Sequence, residues 1–214
     1  MFFHVDAAQS YGKLEIDVKK NNITTMSVSG HKIYCFKGVG LLYISNHKKL
    51  RMKNLVYGGG QQKYRSGTIH TELIYAFYVA TKLIYENMHQ EYSRLRDIQM
   101  KIHLYIIENI QDVHINGCID SRRICNNLNY TFLHVEGESI IMLMKKYTIS
   151  TGSACQSDTL EASNTIQCIK DIESAHSSVR ISIGKYTTEK NAMNFCLFLK
   201  KTIYQLRKRS PLCN

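Results

Sequence analysis

The feature that most constrains this chain is one long run of apolar residues at helical spacing. The run starts at Thr71, and its apolar positions recur every three or four residues. These positions are Leu73, Ala76, Phe77, Ala80, Leu83, Ile84, Met88, Leu95, Ile98 and Ile102. A helix of this length predicts an element that bridges two substructures, with a domain boundary inside it. We therefore divide the chain into residues 1–90 and 91–214.

Short apolar segments lie on both sides of this helix. Glycine and polar residues bound them, so they predict strands, the first of which is buried and ends at Asp6. The predicted strands lie at residues 2–5, 25–28, 38–45, 130–135 and 179–184. A last helix has Thr188 as its predicted N-cap and an apolar face formed by Phe195, Phe198, Leu199, Ile203 and Leu206. Mixed strands and helices of this kind predict an α/β fold.

The formal net charge of +11 raises the question of an anionic partner. Nucleic-acid-binding domains concentrate their basic residues on one stripe or face, whereas here they are spread along the chain. We therefore expect no nucleic-acid partner. No apolar run reaches about 18 residues, so no transmembrane helix is expected. The first residues show neither a signal-peptide pattern nor a transit-peptide pattern.

The seven cysteines do not follow the spacing of a disulfide framework or a zinc site. Their number is odd and none form a CxxC pair, which favours a reducing compartment. Cys35, Cys168 and Cys196 lie in apolar runs and are predicted to be core or near-core thiols. Cys155 differs because small and polar residues surround it in STGSAC. We expect an accessible thiol there, with a turn that carries an incidental cysteine as the alternative.

The first chemical constellation starts where the first predicted strand ends. Asp6 lies at that end, where open α/β sheets place ligand-binding groups, and Gln9 adds an amide. Ser29 and His31 flank a glycine and suit an anionic phosphate, while the Lys32 amine can form a Schiff base with an aldehyde. A strand-end aspartate, a phosphate cup and such a lysine are what pyridoxal phosphate requires. A solvated lysine and a helix-capping aspartate are the alternatives.

Two further residues suit a ligand. Arg180 lies inside an apolar strand, where burial would require an anionic partner, and its planar guanidinium matches a carboxylate. The alternative is an edge-strand arginine that faces water. Thr68 closes the glycine-rich loop YGGGQQKYRSGT and is the predicted N-cap of the long helix, whose N-terminus would attract phosphate. A plain cap is the alternative reading of Thr68.

Taken in order, these segments resemble the cysteine desulfurases of the iron–sulfur assembly type. These enzymes belong to class V of the aminotransferase-like enzymes of pyridoxal-phosphate-dependent fold type I. The similar segments are HVDAAQSYGKLEIDV, MSVSGHKIYCFKGVGLLYI, YGGGQQKYRSGT, FLHVEGESIIMLM, STGSACQS, AHSSVRISIGKYTTEK and SPL. The resemblance implies that residues 1–90 form the C-terminal portion of the cofactor-binding large domain, with an incomplete sheet. Residues 91–214 would form a smaller α+β domain that carries the Cys155 loop.

The resemblance also implies how the cofactor is held. Asp6 would pair with its pyridine nitrogen, and Gln9 with its ring hydroxyl oxygen. Ser29 and His31 would bind the phosphate, and Lys32 would attach the cofactor covalently. His31 and Lys32 are also expected to be catalytic.

For the substrate, the resemblance implies that L-cysteine is converted to L-alanine. Arg180 would bind the substrate α-carboxylate, and Cys155 would accept the sulfur as a persulfide. Thr68 would reach the phosphate bound by a neighbouring subunit, which implies a homodimer. Further implied partners are an iron–sulfur scaffold protein and small accessory subunits, and no metal site is implied. By family analogy the compartment is the mitochondrion or an organelle derived from it, or the cytoplasm of a bacterium.

The sequence departs from the family at two places. It begins just before the Asp6 strand, so the family's long N-terminal part is expected to be missing, as in a fragment, a mispredicted gene start or a degenerate copy. Cys35-Phe36 stand where the family commonly has glycine and proline. Two other functions are open at this point. One is a related selenocysteine lyase, and the other is a non-catalytic fragment that acts as an interaction module.

Overall fold

A computed structural model describes residues 1–46, 50–60, 63–151 and 162–209. Its strands are β1 His4–Asp6, β2 Thr25–Ser29, β3 Gly40–Ile44, β4 Val113–Ile115, β5 Asn127–Phe132 and β6 Ser178–Ser182. Its α-helices are α1 Thr71–Asn109, α2 Gly137–Leu143, α3 Asn164–Gln167, α4 Ile172–His176 and α5 Glu189–Arg209. The chain divides into two compact units, Met1–His89 and Gln90–Asn214. No described helix has the combination of length and hydropathy needed to cross a membrane.

The first unit is built on a three-stranded sheet in the order β1-β2-β3. Strands β1 and β2 are parallel, and β2 and β3 are antiparallel. Side chains alternate between the two faces along β2, so Met26 and Val28 are buried in the core of this unit. The first turns of α1 pack Phe77 into the same core, as its helical spacing predicted.

Strand β1 was predicted to be buried, and this prediction was wrong. Phe2 and Phe3, just ahead of the strand, are 55% and 49% exposed, and of the strand itself only Val5 is partly covered. Among the described residues β1 has a single neighbouring strand, β2, which leaves its other edge uncovered. An apolar run therefore identified the strand correctly but not its burial, because burial depends on what packs against it.

The second unit contains an antiparallel sheet in the order β4-β5-β6. One apolar cluster joins this sheet to the second half of α1 and to α5. Its fully buried members include Ile106 of α1, Tyr130 and Phe132 of β5, and Leu199 of α5. The long helix α1 thus contributes first to the core of the first unit and then, further along the chain, to that of the second.

The helix termini confirm one predicted cap and correct another. The Thr188 hydroxyl accepts a hydrogen bond from the Asn191 N–H at 3.2 Å, as expected for the N-cap of α5. Thr68 is exposed and does not cap α1, because that helix begins only at Thr71. The first helical hydrogen bond there runs from the Ile74 N–H to the His70 carbonyl oxygen.

The three cysteines that were predicted to be core or near-core thiols differ in their burial. Cys196 is fully buried, and burial raises the pKa of its thiol to about 12. Cys35 is partly buried against the core of the first unit. Cys168 is exposed, contrary to the prediction, because it follows the short helix α3, which buries Ile166 and leaves its last residue, Gln167, exposed.

Candidate functional site

The carboxyl ends of two parallel strands meet at one edge of the first unit. In the register of β1 and β2, Asp6 is paired with Ser27, and the Ala7 N–H donates to the Ser27 carbonyl oxygen at 2.8 Å. The Asp6 carboxylate is exposed and accepts two hydrogen bonds on Oδ1. One comes from the Ala8 N–H at 3.0 Å and the other from the Ser27 hydroxyl at 3.4 Å. Its second oxygen makes no hydrogen bond to a described residue.

The same face of this sheet is polar along its length. Thr25, Ser27 and Ser29 alternate with the two buried apolar residues of β2 and therefore lie together on the face opposite the core. The Thr25 hydroxyl pairs with Nδ1 of His4 at 2.8 Å. A polar strip thus leads along the strand to the turn that follows Ser29.

That turn is a short 3-10 helix, Gly30–Ile33, which carries two of the predicted site residues. The Ser29 hydroxyl lies 3.1 Å from Nδ1 of His31, and both His31 and Lys32 are exposed. Ile33 is 2% exposed and anchors the turn in the core. The Lys32 amine makes no ion pair or hydrogen bond with the described part of the chain.

Close packing holds this turn in place. The Gly30 N–H donates to the Val39 carbonyl oxygen at 3.0 Å, and a Cβ at Gly30 would lie only 2.8 Å from that oxygen. At the other end Tyr34 adopts a left-handed conformation with φ of 64° and donates its N–H to the Gly30 carbonyl oxygen. The backbone therefore fixes where the His31 and Lys32 side chains leave the sheet.

The structure gathers Asp6, Ser29, His31 and Lys32 at this one edge. Gln9 follows Asp6 within the turn after β1, where it is exposed and its carbonyl oxygen accepts from the Lys13 amine at 3.0 Å. The other predicted residues are not part of this edge as described. Thr68 is in the loop before α1, Arg180 belongs to the second unit, and Cys155 lies outside the described residues.

Arg180 lines a pocket inside the second unit. It lies in β6 opposite Asn129 of β5, and its backbone forms a bridge with Ser150 through hydrogen bonds of 2.6 Å and 3.2 Å. The side chain is partly buried, and the pocket that it lines has a volume of about 310 Å³. Within the described ranges its guanidinium has no hydrogen-bonding or ionic partner. Strand β6 is at the edge of its three-stranded sheet, and the Arg180 side chain there is half-buried.

Sequence reasoning missed the other polar residues of this pocket. Asn116 and Asn129 line it, and so does Arg123, whose guanidinium donates to the carbonyl oxygens of Cys118 and Asn116. Partial burial lowers the pKa of Arg123. The one sequence signal was the alternation of asparagine with apolar residues in NLNYTF, which indicates a strand with a polar face.

Comparison with known proteins identifies the family. The model of the class-V aminotransferase family matches residues 1–195. The chain belongs to this family. Membership confirms the resemblance that the ordered motifs suggested.

Among curated class-V relatives, the cysteine desulfurase IscS of Ehrlichia chaffeensis is 41% identical over 217 residues, which cover 99% of this chain and 52% of that protein. The mitochondrial cysteine desulfurase of Arabidopsis thaliana is 40% identical over 212 residues, covering 98% of this chain and 47% of the relative. The chain thus spans about half the length of the curated relatives that it matches.

A solved structure titled NifS-like protein superimposes with a TM-score of 0.81 at 23% identity, covering 95% of this chain and 53% of that one. Together with the family match, this likeness confirms the predicted fold class, the α/β fold known as fold type I, with only part of its large-domain sheet present in the described residues. The predicted roles of individual site residues stay predictions.

Proposed function

We propose that this chain carries the cofactor-binding and substrate-binding residues of a cysteine desulfurase, a pyridoxal-phosphate-dependent enzyme that acts on L-cysteine. The observation that carries the proposal is identity of about 40% to curated cysteine desulfurases along essentially the whole chain. The polar edge with Asp6 and Lys32 supports it, because these groups are the ones that the cofactor requires. Iron–sulfur cluster assembly is the proposed destination of the sulfur.

The residues at the strand edge fit the cofactor chemically. Asp6 has a carboxylate oxygen without a partner among the described residues, and this oxygen can accept from a protonated pyridine nitrogen. Gln9 would bond the ring hydroxyl oxygen. Ser29 and His31, already within 3.1 Å of one another, offer hydroxyl and imidazole donors for a phosphate. Lys32, fixed in position by its 3-10 turn, would attach the cofactor.

When bound, pyridoxal phosphate supplies an electron sink for the substrate α-carbon. The substrate amine would replace Lys32 on the cofactor, and the Lys32 amine that is released in its neutral form would take the α-proton. Arg180 would bind the substrate α-carboxylate through its two outer N–H groups. The Cys155 thiolate would attack the sulfur of cysteine, so that a sulfur–sulfur bond forms on Cys155 and the carbon–sulfur bond breaks. The carbon would keep the electron pair of that bond and take up a proton, and alanine would leave.

The proposed assembly is a homodimer in which Thr68 approaches the cofactor phosphate of the other subunit. An iron–sulfur scaffold protein and small accessory subunits are the proposed macromolecular partners. Curated relatives include both bacterial and mitochondrial proteins. We accordingly propose a mitochondrial or mitochondrion-derived compartment for a eukaryotic source and the cytoplasm for a bacterial one.

The test of this proposal starts with cofactor binding. Pyridoxal phosphate is added to the purified chain, and the absorption band of lysine-bound cofactor is recorded. Lys32→Ala should abolish the band, while Lys37→Ala, which changes another exposed lysine of the same segment, should keep it. L-cysteine is then supplied, and alanine and sulfide are measured.

The Cys155→Ser variant separates cofactor binding from sulfur transfer. It should keep the band and stop sulfide release, because a hydroxyl cannot hold a persulfide. Absence of the band in the wild-type chain would refute the assignment of a cofactor site to this chain. Equal sulfide release from wild type and Cys155→Ser would refute the role of Cys155 but not the cofactor site.

A further inference from the structure

The pocket beside Arg180 contains a second hydrogen-bond donor that no role so far uses. Asn129 is the cross-strand partner of Arg180, and both side chains line the same cavity. Building on the proposed function, in which Arg180 binds the substrate carboxylate, we propose that Asn129 is a further substrate-binding residue. Its amide Nδ2 donates a hydrogen bond to the same carboxylate.

The orientation of the Asn129 amide follows from a buried network. The Ser178 hydroxyl donates to the Ser174 carbonyl oxygen at 2.6 Å, so its oxygen accepts from Nδ2 of Asn116 at 3.0 Å. The same Asn116 amide group donates to Oδ1 of Asn129 at 2.7 Å. The Thr131 hydroxyl lies 3.1 Å from Oδ1 of Asn116 and 2.9 Å from the Ser178 oxygen, and both of these oxygens can accept its hydrogen. Asn129 must therefore turn its oxygen towards Asn116, which leaves its Nδ2 as the group available to a ligand.

Burial makes this orientation rigid. Asn116 is 4% exposed and Thr131 and Ser178 are 0% exposed, so the network cannot exchange its partners for water. Reversal of the Asn129 amide would place its donor against the donor of Asn116 and cost at least the hydrogen bond between them. Among described residues the Nδ2 group of Asn129 makes no hydrogen bond.

The two arginines of the pocket have different roles. Arg123 donates to the carbonyl oxygens of Cys118 and Asn116 and to both oxygens of Asn127, so its guanidinium is occupied by the protein itself. Of these two arginines, Arg180 is the one whose guanidinium N–H groups have no partner among the described residues. No aspartate or glutamate is among the described lining residues. Two cations and a neutral amide donor without a carboxylate suit a small anionic group such as an amino-acid carboxylate.

The binding test uses the full chain, with L-alanine as the carboxylate probe and L-alaninamide as the probe that lacks the carboxylate. Side-chain amide signals are followed by nuclear magnetic resonance in a ¹⁵N-labelled sample. L-alanine should shift the Nδ2 signal of Asn129 in a saturable way, whereas L-alaninamide should not. An Asn129 signal that is unmoved while L-alanine binds would overturn the proposal without need of any variant.

Variants then measure how much Asn129 contributes to the affinity for L-alanine. Asn129→Ala should lower the affinity for L-alanine about tenfold, the loss expected for one hydrogen bond to a charged group. Asn127→Ala removes another amide that lines the pocket, and it should change the affinity less than about twofold because Arg123 already occupies Asn127. Arg180→Ala should abolish binding. Circular dichroism of each variant verifies that it is folded.

The outcomes separate this inference from the proposed function. If Arg180→Ala loses binding and Asn129→Ala binds as wild type, the role of Asn129 is wrong and that of Arg180 stands. If all variants bind L-alanine equally, the carboxylate site as a whole is wrong. Neither outcome bears on the cofactor band at Lys32, which is measured separately.

Discussion

Replacement of Gly30 by alanine tests the way in which the structure positions Lys32. The added Cβ would lie 2.8 Å from the Val39 carbonyl oxygen, 2.9 Å from Val39 Cγ1 and 3.1 Å from Cδ2 of Phe77. Ordinary contacts of this kind begin at 3.4 Å, so the neighbours would have to retreat. Val39 cannot do so freely, because its carbonyl oxygen accepts the Gly30 N–H at 3.0 Å.

The expected magnitude follows from these contacts. Overpacking of a well-packed site costs about 1–3 kcal/mol. The lower chain entropy of alanine in the unfolded state returns about 0.4–1 kcal/mol, and the weakened backbone hydrogen bond costs about 1 kcal/mol. We expect Gly30→Ala to lower the free energy of unfolding of the first unit by about 2 kcal/mol, close to a thirtyfold change in its equilibrium constant.

The assay combines urea unfolding, followed by circular dichroism, with amide hydrogen exchange at Tyr34 and Cys35. Both of these amides donate to the Gly30 carbonyl oxygen, so they report on the turn itself. Gly59→Ala is the matched control, because a Cβ there meets no atom within 4 Å. If Gly30→Ala proves as stable as Gly59→Ala and its turn amides exchange no faster, close packing does not fix the lysine turn.

Two further predictions concern the second unit. Ile106 is 0% exposed and Ile107 is 45% exposed, so Ile106→Ala should lower the free energy of unfolding by about 2–5 kcal/mol and Ile107→Ala by well under half of that. Equal urea midpoints for the two variants would contradict the assigned core. Burial, and then the charges of Arg123 and Arg96, lowers the pKa of His103 below its ordinary value of 6.5. The unfolded chain therefore binds more protons once the pH drops below 6.5, and stability should fall there. His103→Gln should flatten this part of the profile of urea midpoint against pH, and parallel profiles would refute the shift.

Much of the fold was accessible from local pattern alone. The helical spacing of α1, the N-cap of α5 and the extended segment β2 can each be predicted from residues close together in the sequence. The structure contains all three. The edge cluster could also be anticipated, since Asp6 and Ser29 each end a strand and the carboxyl ends of parallel strands meet at the same edge. Each of these inferences needs only the chain near the residue concerned.

The wrong predictions concerned features that depend on residues far away in the sequence. The burial of β1 depends on whether a strand lies on its second side, and the exposure of Cys168 depends on which face of α3 meets the core. Thr68 has the right residue type for a cap, but the helix begins three residues later. Residue type alone cannot place the first residue of a helix, because helix boundaries also reflect the packing of the first turn.

The sequence by itself determined the family and the fold class, because ordered motifs and hydrophobic periods depend on residues close together in the chain. The cofactor role of Lys32 stays a prediction from the same motifs. Only the tertiary structure decided which of the two pocket arginines keeps its guanidinium available to a ligand among the described residues. Arg123 and Arg180 are far apart along the chain, and the pairing of β5 with β6 places both in one pocket. There the nearby carbonyl groups occupy Arg123, while the buried Asn116 aims Asn129 beside Arg180. Strand register determines which side chains become hydrogen-bond partners here, and that register cannot be derived from the spacing of residues in the sequence.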